Sequence, residues 1–211
     1  KAGYAYEVNG SVYFDVKKYA ASHEYGKLSG RVIDELLTTT RELEGQDEKR
    51  DRADFALWKA AAPEHIMRWK SPWGVGYPGW HIECAAIALK FADQTGTTII
   101  DIQGGGNDLI FPHHEMSASQ VRVLTGKEFA AAYVHAGLIG LDGEKMSKSK
   151  GNLVFVSKLI AGGVDPTVIR WALLKRHYRE DYMWLRTEID LAKIELDTLG
   201  RALKRANVPP T

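Results

Sequence analysis

The chain has 211 residues, a formal net charge of +1, 45% apolar and 26% charged residues, and a single cysteine. That length can bury a real core as one large domain or two small ones, and the composition is that of an ordinary globular protein. A near-neutral charge gives no bulk electrostatic pull towards nucleic acid or a membrane surface. No apolar run approaches a membrane span. One cysteine excludes an internal disulfide framework and fits a reducing cytoplasm. The opening Lys1-Ala2-Gly3-Tyr4 is not a signal peptide and, without a Met, reads as starting inside a longer protein.

In chain order, residues 4–8 and 11–16 alternate apolar and polar side chains around Asn9-Gly10, a strong hairpin signal. Residues 17–37 read as loop with short helical pieces, and 38–54, dominated by charge, as a solvated linker. A compact segment resumes at Phe55. The turn-rich stretch 71–79 opens a helix over 80–93. Residues 97–103 form an apolar strand closed by a flexible run, Gly104-Gly105-Gly106. Pro112 and Gly126 bracket a helix over 113–124. Residues 133–141 are apolar and β-prone, Asp142-Gly143 breaks them, and the polar loop Lys145–Ser149 follows. Asp165-Pro166 caps a helix reaching His177. Helical periodicity returns over 187–206. The alternation of helix and strand from Trp80 to Ser149 predicts parallel βαβ units.

The loop Lys145-Met146-Ser147-Lys148-Ser149 carries the most information. Two ammonium groups beside hydroxyls, at the end of a strand, suit a triphosphate, because they can neutralise charge building on a departing pyrophosphate. Gly104-Gly105-Gly106-Asn107-Asp108 lies between a strand and a helix, where glycines let a nucleotide approach the backbone. Asp108 could there accept bonds from ribose hydroxyls or a substrate ammonium. The run is not the GxGxxG fingerprint, so a nicotinamide cofactor is not expected.

Cys84 on one helix and His113-His114 at the start of the next offer a thiolate and an imidazole, typical zinc ligands. On the residues alone, a small buried cysteine and capping histidines are the commoner outcome. No CxxC partner accompanies them, so a site here would have three protein ligands and an open position from which zinc could read a substrate thiol. Trp80 lies four residues before Cys84 on the same helix face and could wall a cysteine pocket or simply fill the core. His81 ranks below His113 as a ligand. His177-Tyr178-Arg179 and Trp184 read as packing residues.

Three stretches in order, Pro78–Cys84, Gly104–Glu115 and Lys145–Asn152, resemble the cysteinyl-tRNA synthetase family of class I synthetases, which includes the mycothiol cysteine ligases of actinobacteria. The hairpin residues Val12–Val16 and the run Asp54–Lys59 resemble that group as well. The resemblance implies an α/β fold: the second half of a class I Rossmann-like catalytic domain with an inserted α+β segment and a C-terminal helical region. It places an inserted connective segment at 1–70, the half-domain with the lysine loop at 71–152 and the helical region at 153–211. Cys84 and His113, with a cysteine from an earlier part of the protein, would hold Zn2+. Trp80 would line the amino-acid pocket, Gly106, Asn107 and Asp108 would contact the adenylate, and Ile139 would meet the adenine. Lys145 and Lys148 would be the catalytic cations, and the loop Lys145, Met146, Ser147, Lys148 and Ser149 would bind ATP, with Mg2+ accompanying it.

Two departures bear on what the resemblance implies. The His-x-Gly-His motif of class I enzymes does not occur, so this chain by itself is expected not to form the adenylate. Cysteinyl-tRNA synthetases usually carry a zinc-binding carboxylate four residues after the first histidine, whereas this chain has Ser117 there. Ser117 and the stretches 134–140 and 153–158 look closer to the mycothiol branch, and no anticodon-reading module is evident after Trp184. The expected activity is ATP-dependent transfer of cysteine to the amine of glucosaminyl-inositol. Charging of tRNA is the alternative, and a non-catalytic synthetase-like binding module is the reading from another class. Cysteine, ATP and an amino-sugar inositol are the expected partners, with no membrane.

Overall fold

The computed structural model describes residues 2–30, 48–92 and 96–206, which divide into two compact units, Lys1–His135 and Ala136–Thr211. In the first unit, strands β1 (Ala5–Val8) and β2 (Ser11–Phe14) pair antiparallel. Asn9 and Gly10 between them both take positive φ, 50° and 81°, the twist a two-residue hairpin needs. β2 stops at Phe14 rather than at residue 16. Asp15 turns the chain by accepting a hydrogen bond from the Lys18 amide (2.9 Å), so Val16 starts helix α1 (Val16–Ala20).

β3 (Phe55–Ala60), β4 (Trp69–Ser71) and β5 (Gly74–Pro78) complete an antiparallel sheet in the order β1-β2-β3-β5-β4. The stretch expected only to turn is therefore a hairpin. Its edge strand is too short, and its partner too rich in glycine, to show β-periodicity. The expected solvated linker over 38–54 lies partly outside the described residues, but its end folds onto the sheet. Asp54, 2% exposed, accepts bonds from the Tyr6 hydroxyl (2.6 Å) and the amides of Val16 (2.9 Å) and Asp51 (3.2 Å). Glu48 accepts from the Tyr13 hydroxyl at 2.9 Å. Charge in that stretch serves buried donors as well as solvent.

Helix α2 (Trp80–Phe91) leads into β6 (Thr98–Gly106), and helix α3 (Glu115–Thr125) connects β6 to its hydrogen-bonded neighbour β7 (Glu128–Ala136). A helical crossover of this kind is what parallel neighbours require. Gly104, Gly105 and Gly106 belong to β6, a correction to the flexible run expected there. The predicted helix over 113–124 begins later, because Ile110–His114 form a separate wide turn before it. Gly126, at φ 72°, ends α3 in the left-handed region. Ala85, Ile99, Val121 and Phe129 knit α2, β6, α3 and β7 into one core, and Met116 joins α3 to Phe14, Val16, Tyr19 and Phe55.

The apolar stretch 133–141 is two strands instead of one. Beyond β7 the chain bends at Gly137, whose amide donates to the Tyr178 carbonyl (2.8 Å), and β8 (Ile139–Leu141) begins the second unit's sheet. β8 pairs antiparallel with β9 (Glu144–Lys145) across Asp142-Gly143 and parallel with β10 (Tyr182–Trp184), in the order β10-β8-β9. Helices α4 (Val156–Ala161), α5 (Pro166–Leu174) and α6 (Glu188–Arg205) pack around Val168, Ala172, Trp184 and Ala192. β10 and α4 escaped the sequence reading, being three and six residues long. Asp165 caps α5 as expected, accepting from the Thr167 amide at 2.7 Å. No helix among the described residues is long and apolar enough to cross a membrane.

Glu188, 0% exposed, receives Lys175 (2.9 Å) and Arg176 (3.0 Å) and so ties the end of α5 to the start of α6. Burial alone would raise its pKa, but the bonds from Lys175 and Arg176 outweigh that and hold it below the ordinary glutamate value. A depressed carboxyl stabilises the fold above its unfolded-state pKa and loses that contribution as pH falls through the folded value. Stability should therefore decline as pH drops below about 4.5. In Glu188→Gln that decline should be shallower when denaturant unfolding is followed against pH; parallel curves would contradict the assignment.

Candidate functional site

In the first unit the site is built around the wide turn Ile110–His114, which buries His113 and His114. Trp80, the first residue of α2, is 58% exposed and stacks on the His113 ring, centroids 4.3 Å apart and planes inclined by 26°. The buried His81 ring, tilted by 50° to that of His113, meets it Nδ1 to Nδ1 at 2.9 Å, so one of the two donates and the other accepts. Burial, and then the neighbouring His113, lower the His81 pKa to about 4; burial lowers that of His113 too. Both rings are thus neutral near pH 7, and the contact with His81 occupies Nδ1 of His113. Cys84 lies one helical turn beyond Trp80, half-buried, its thiol pKa raised by burial and then by Glu83.

A second histidine chain lies beside the first. Gln103 of β6 places its Nε2 3.1 Å from Nε2 of His114, whose Nδ1 lies 2.8 Å from Nε2 of His135 on β7. With the Gln103 amide donating, His114 carries its proton on Nδ1 and donates to His135. Burial, then His135 and His113, lower the His114 pKa to about 4, so this relay is neutral as well. Sequence reading did not single out Gln103 or His135, nor the contact between His81 and His113. The available signal was the recurrence of histidine at 81, 113, 114 and 135 in one α/β segment.

Gly105 is explained by the same ring. A Cβ there would sit 2.9 Å from both Cε1 of His114 and Cδ1 of Leu109, so the glycine makes room for a histidine. Gly106 ends β6, and Asn107 and Asp108 form the 3-10 turn Asn107–Leu109 that follows, with Asp108 exposed. Glu115 is no ligand candidate: it is buried and accepts a bond from the Leu28 amide at 2.9 Å, pinning a distant turn. Ser117 is 1% exposed, and its hydroxyl donates to the His81 carbonyl at 3.4 Å.

Whether these residues fit a metal can be judged from their donors. Zinc takes a neutral imidazole and a thiolate, so Cys84 would have to give up its proton to serve. Among the described residues, however, no three His, Cys, Asp or Glu side chains gather into a metal-holding group.

In the second unit, Lys145 ends β9 and Lys148 stands exposed on the following turn. Met146 packs against the unit's core, and Lys150 reaches back to Glu144 at 2.8 Å. Ile139, paired with Tyr182, lines a cavity of about 400 Å3 together with Gly140, Lys145, Asp181 and Met183. The Tyr182 hydroxyl is buried with no hydrogen-bond partner among the described residues.

Comparison with known proteins defines the class. Residues 1–194 match the family model for the catalytic domain of class I (C) tRNA synthetases, and the chain belongs to that family. It is 51% identical over 211 residues to a cysteine–tRNA ligase of Bacteroides thetaiotaomicron, covering 97% of this chain and 41% of that protein. It is 48% identical over 213 residues to an L-cysteine:1D-myo-inositol 2-amino-2-deoxy-alpha-D-glucopyranoside ligase of Kribbella flavida, covering 99% of this chain and 50% of that protein. The chain thus spans between two-fifths and half of the length of these relatives.

Replacing Gly105 with alanine should displace the His114 ring and cost about 1–3 kcal/mol. Histidine ring resonances and denaturant unfolding would report both effects. An unshifted His114 signal in a fully stable variant would show that the glycine serves some other end.

Proposed function

We propose that the whole protein is an ATP-dependent, AMP-forming cysteine ligase. The cysteine carboxylate attacks the α-phosphate of ATP, giving cysteinyl-adenylate and pyrophosphate. The amine of glucosaminyl-inositol then attacks the acyl carbon, AMP leaves and an amide forms. Membership of the synthetase family supports the first half of this reading. Lys145 and Lys148, with Mg2+ accompanying ATP, would stabilise charge on the departing pyrophosphate. The cavity beside Ile139 offers an apolar wall and backbone edges to an adenine, while Asn107 and Asp108 close the glycine strand where an adenylate would lie. A cytoplasmic setting suits a thiol substrate and a lone unpaired cysteine.

Cys84 and His113 would provide two zinc donors, with a third from outside the described residues. With its metal on Nε2, His113 would carry its proton on Nδ1 and donate it to His81, an arrangement that fixes the ring. When bound, zinc would offer an open position to the substrate sulfur and so favour cysteine over serine.

Ser117 carries the choice of acceptor. Buried and bonded to a backbone carbonyl, it stands where the tRNA-charging branch usually has a ligating carboxylate, as noted from the sequence. A three-ligand site matches the amino-sugar branch. The second reading, with the tRNA 3′ end as acceptor, is favoured by the 51% identity to a cysteine–tRNA ligase.

The full-length protein should catalyse cysteine-dependent ATP–pyrophosphate exchange, and Lys148→Ala should lower kcat for that exchange by about a hundredfold or more. Given both acceptors, it should cysteinylate glucosaminyl-inositol and leave tRNA uncharged. Charging of tRNA alone would establish the second reading, and no exchange with any amino acid would refute both.

A further inference from the structure

We propose that Asn152 is a positioning residue for the lysine loop, closing it into a ring so that Lys148 is presented in a fixed direction. This rests on the reading of the loop given above. The Asn152 side chain bonds the loop at both ends of its first turn: Oδ1 accepts from the Ser147 amide at 2.8 Å, and Nδ2 donates to the Lys145 carbonyl at 3.3 Å. One of those partners can only donate and the other can only accept, so the orientation of the carboxamide is fixed by its surroundings.

The backbone is shaped to allow this. Gly151 takes φ +65° and its amide donates to the Lys148 carbonyl at 3.2 Å, which folds residue 152 back under residues 145–147. Inside the ring the Ser147 hydroxyl accepts from the Lys150 amide (3.3 Å) and meets the Ser149 hydroxyl (3.2 Å). Met146 anchors the base in the core of the second unit. Lys148 is thus an exposed cation at the tip of a loop whose base is tied three ways. Ordering the loop before ATP arrives removes a reorganisation cost from the step in which the charge is needed.

The carboxamide is chemically specific to this task. Aspartate would keep the bond to the Ser147 amide but set an anion against the Lys145 carbonyl. Alanine would lose both bonds.

The test uses the full-length protein and its Asn152→Ala and Asn152→Asp variants. Amide hydrogen exchange of the segment 144–152 is read alongside ATP–pyrophosphate exchange, with denaturant unfolding as a control on the fold. The expected result for Asn152→Ala is exchange at the Ser147 amide roughly fivefold to tenfold faster, consistent with loss of one hydrogen bond. Its kcat for pyrophosphate exchange should fall by about tenfold, with KM for cysteine unchanged. Asn152→Asp should keep Ser147 protected yet still lose activity.

Unchanged amide exchange in Asn152→Ala would overturn the proposal whatever the activity. Faster amide exchange with full activity, in a protein that Lys148→Ala inactivates, would also overturn it. If Lys148→Ala is equally silent, the reading of the loop as a phosphate binder fails, while the amide-exchange result still decides whether Asn152 orders it.

Discussion

The site depends on the double restraint of one imidazole. His113 is covered on its face by Trp80 and met at its edge by His81, in a turn that leaves both histidines buried. A charge buried there would be costly, and burial holds both imidazoles below the ordinary histidine pKa, so the rings stay neutral. Neutrality serves structure and chemistry together. It lets the histidines satisfy one another's hydrogen-bonding atoms, and it leaves a lone pair available to a metal.

The relay through Gln103, His114 and His135 extends the same logic across the strands. It latches β6 to the wide turn and the turn to β7 with two hydrogen bonds and no formal charge. Gly105 is its spatial counterpart, a strand residue reduced to backbone because a ring occupies the volume of its side chain. The second unit works in the opposite way. There a buried charge cluster clamps Glu188 between Lys175 and Arg176, while the lysine loop is tied by serine and asparagine bonds and by the Lys150–Glu144 pair.

Much of this was legible in the sequence where local chemistry decides the outcome. Asn9-Gly10 demanded a hairpin because both positions take positive φ, and Asp165-Pro166 demanded a helix start because the carboxylate caps an amide. Reading failed where neighbours override propensity. Gly104–Gly106 lack any preference for a strand and are extended because β7 lies alongside. The stretch 133–141 is largely apolar, yet Gly137 bends it because the Tyr178 carbonyl takes its amide. Asp54 sits in a run of charge but is buried by a tyrosine hydroxyl from another strand. Trp80 and His113 were singled out through the family resemblance, and the structure stacks one ring on the other. The partners His81, Gln103 and His135 depended on side chains meeting across elements, which no local pattern encodes.

The central claim is that Cys84 and His113 belong to a metal site that reads sulfur. Zinc-edge X-ray absorption of the full-length protein, recorded with and without cysteine, tests it most directly. The account predicts bound zinc with mixed nitrogen and sulfur ligation, gaining one sulfur neighbour near 2.3 Å, about the usual zinc–thiolate distance, when cysteine is added. Absence of zinc, or a coordination shell that cysteine leaves unaltered, would contradict it.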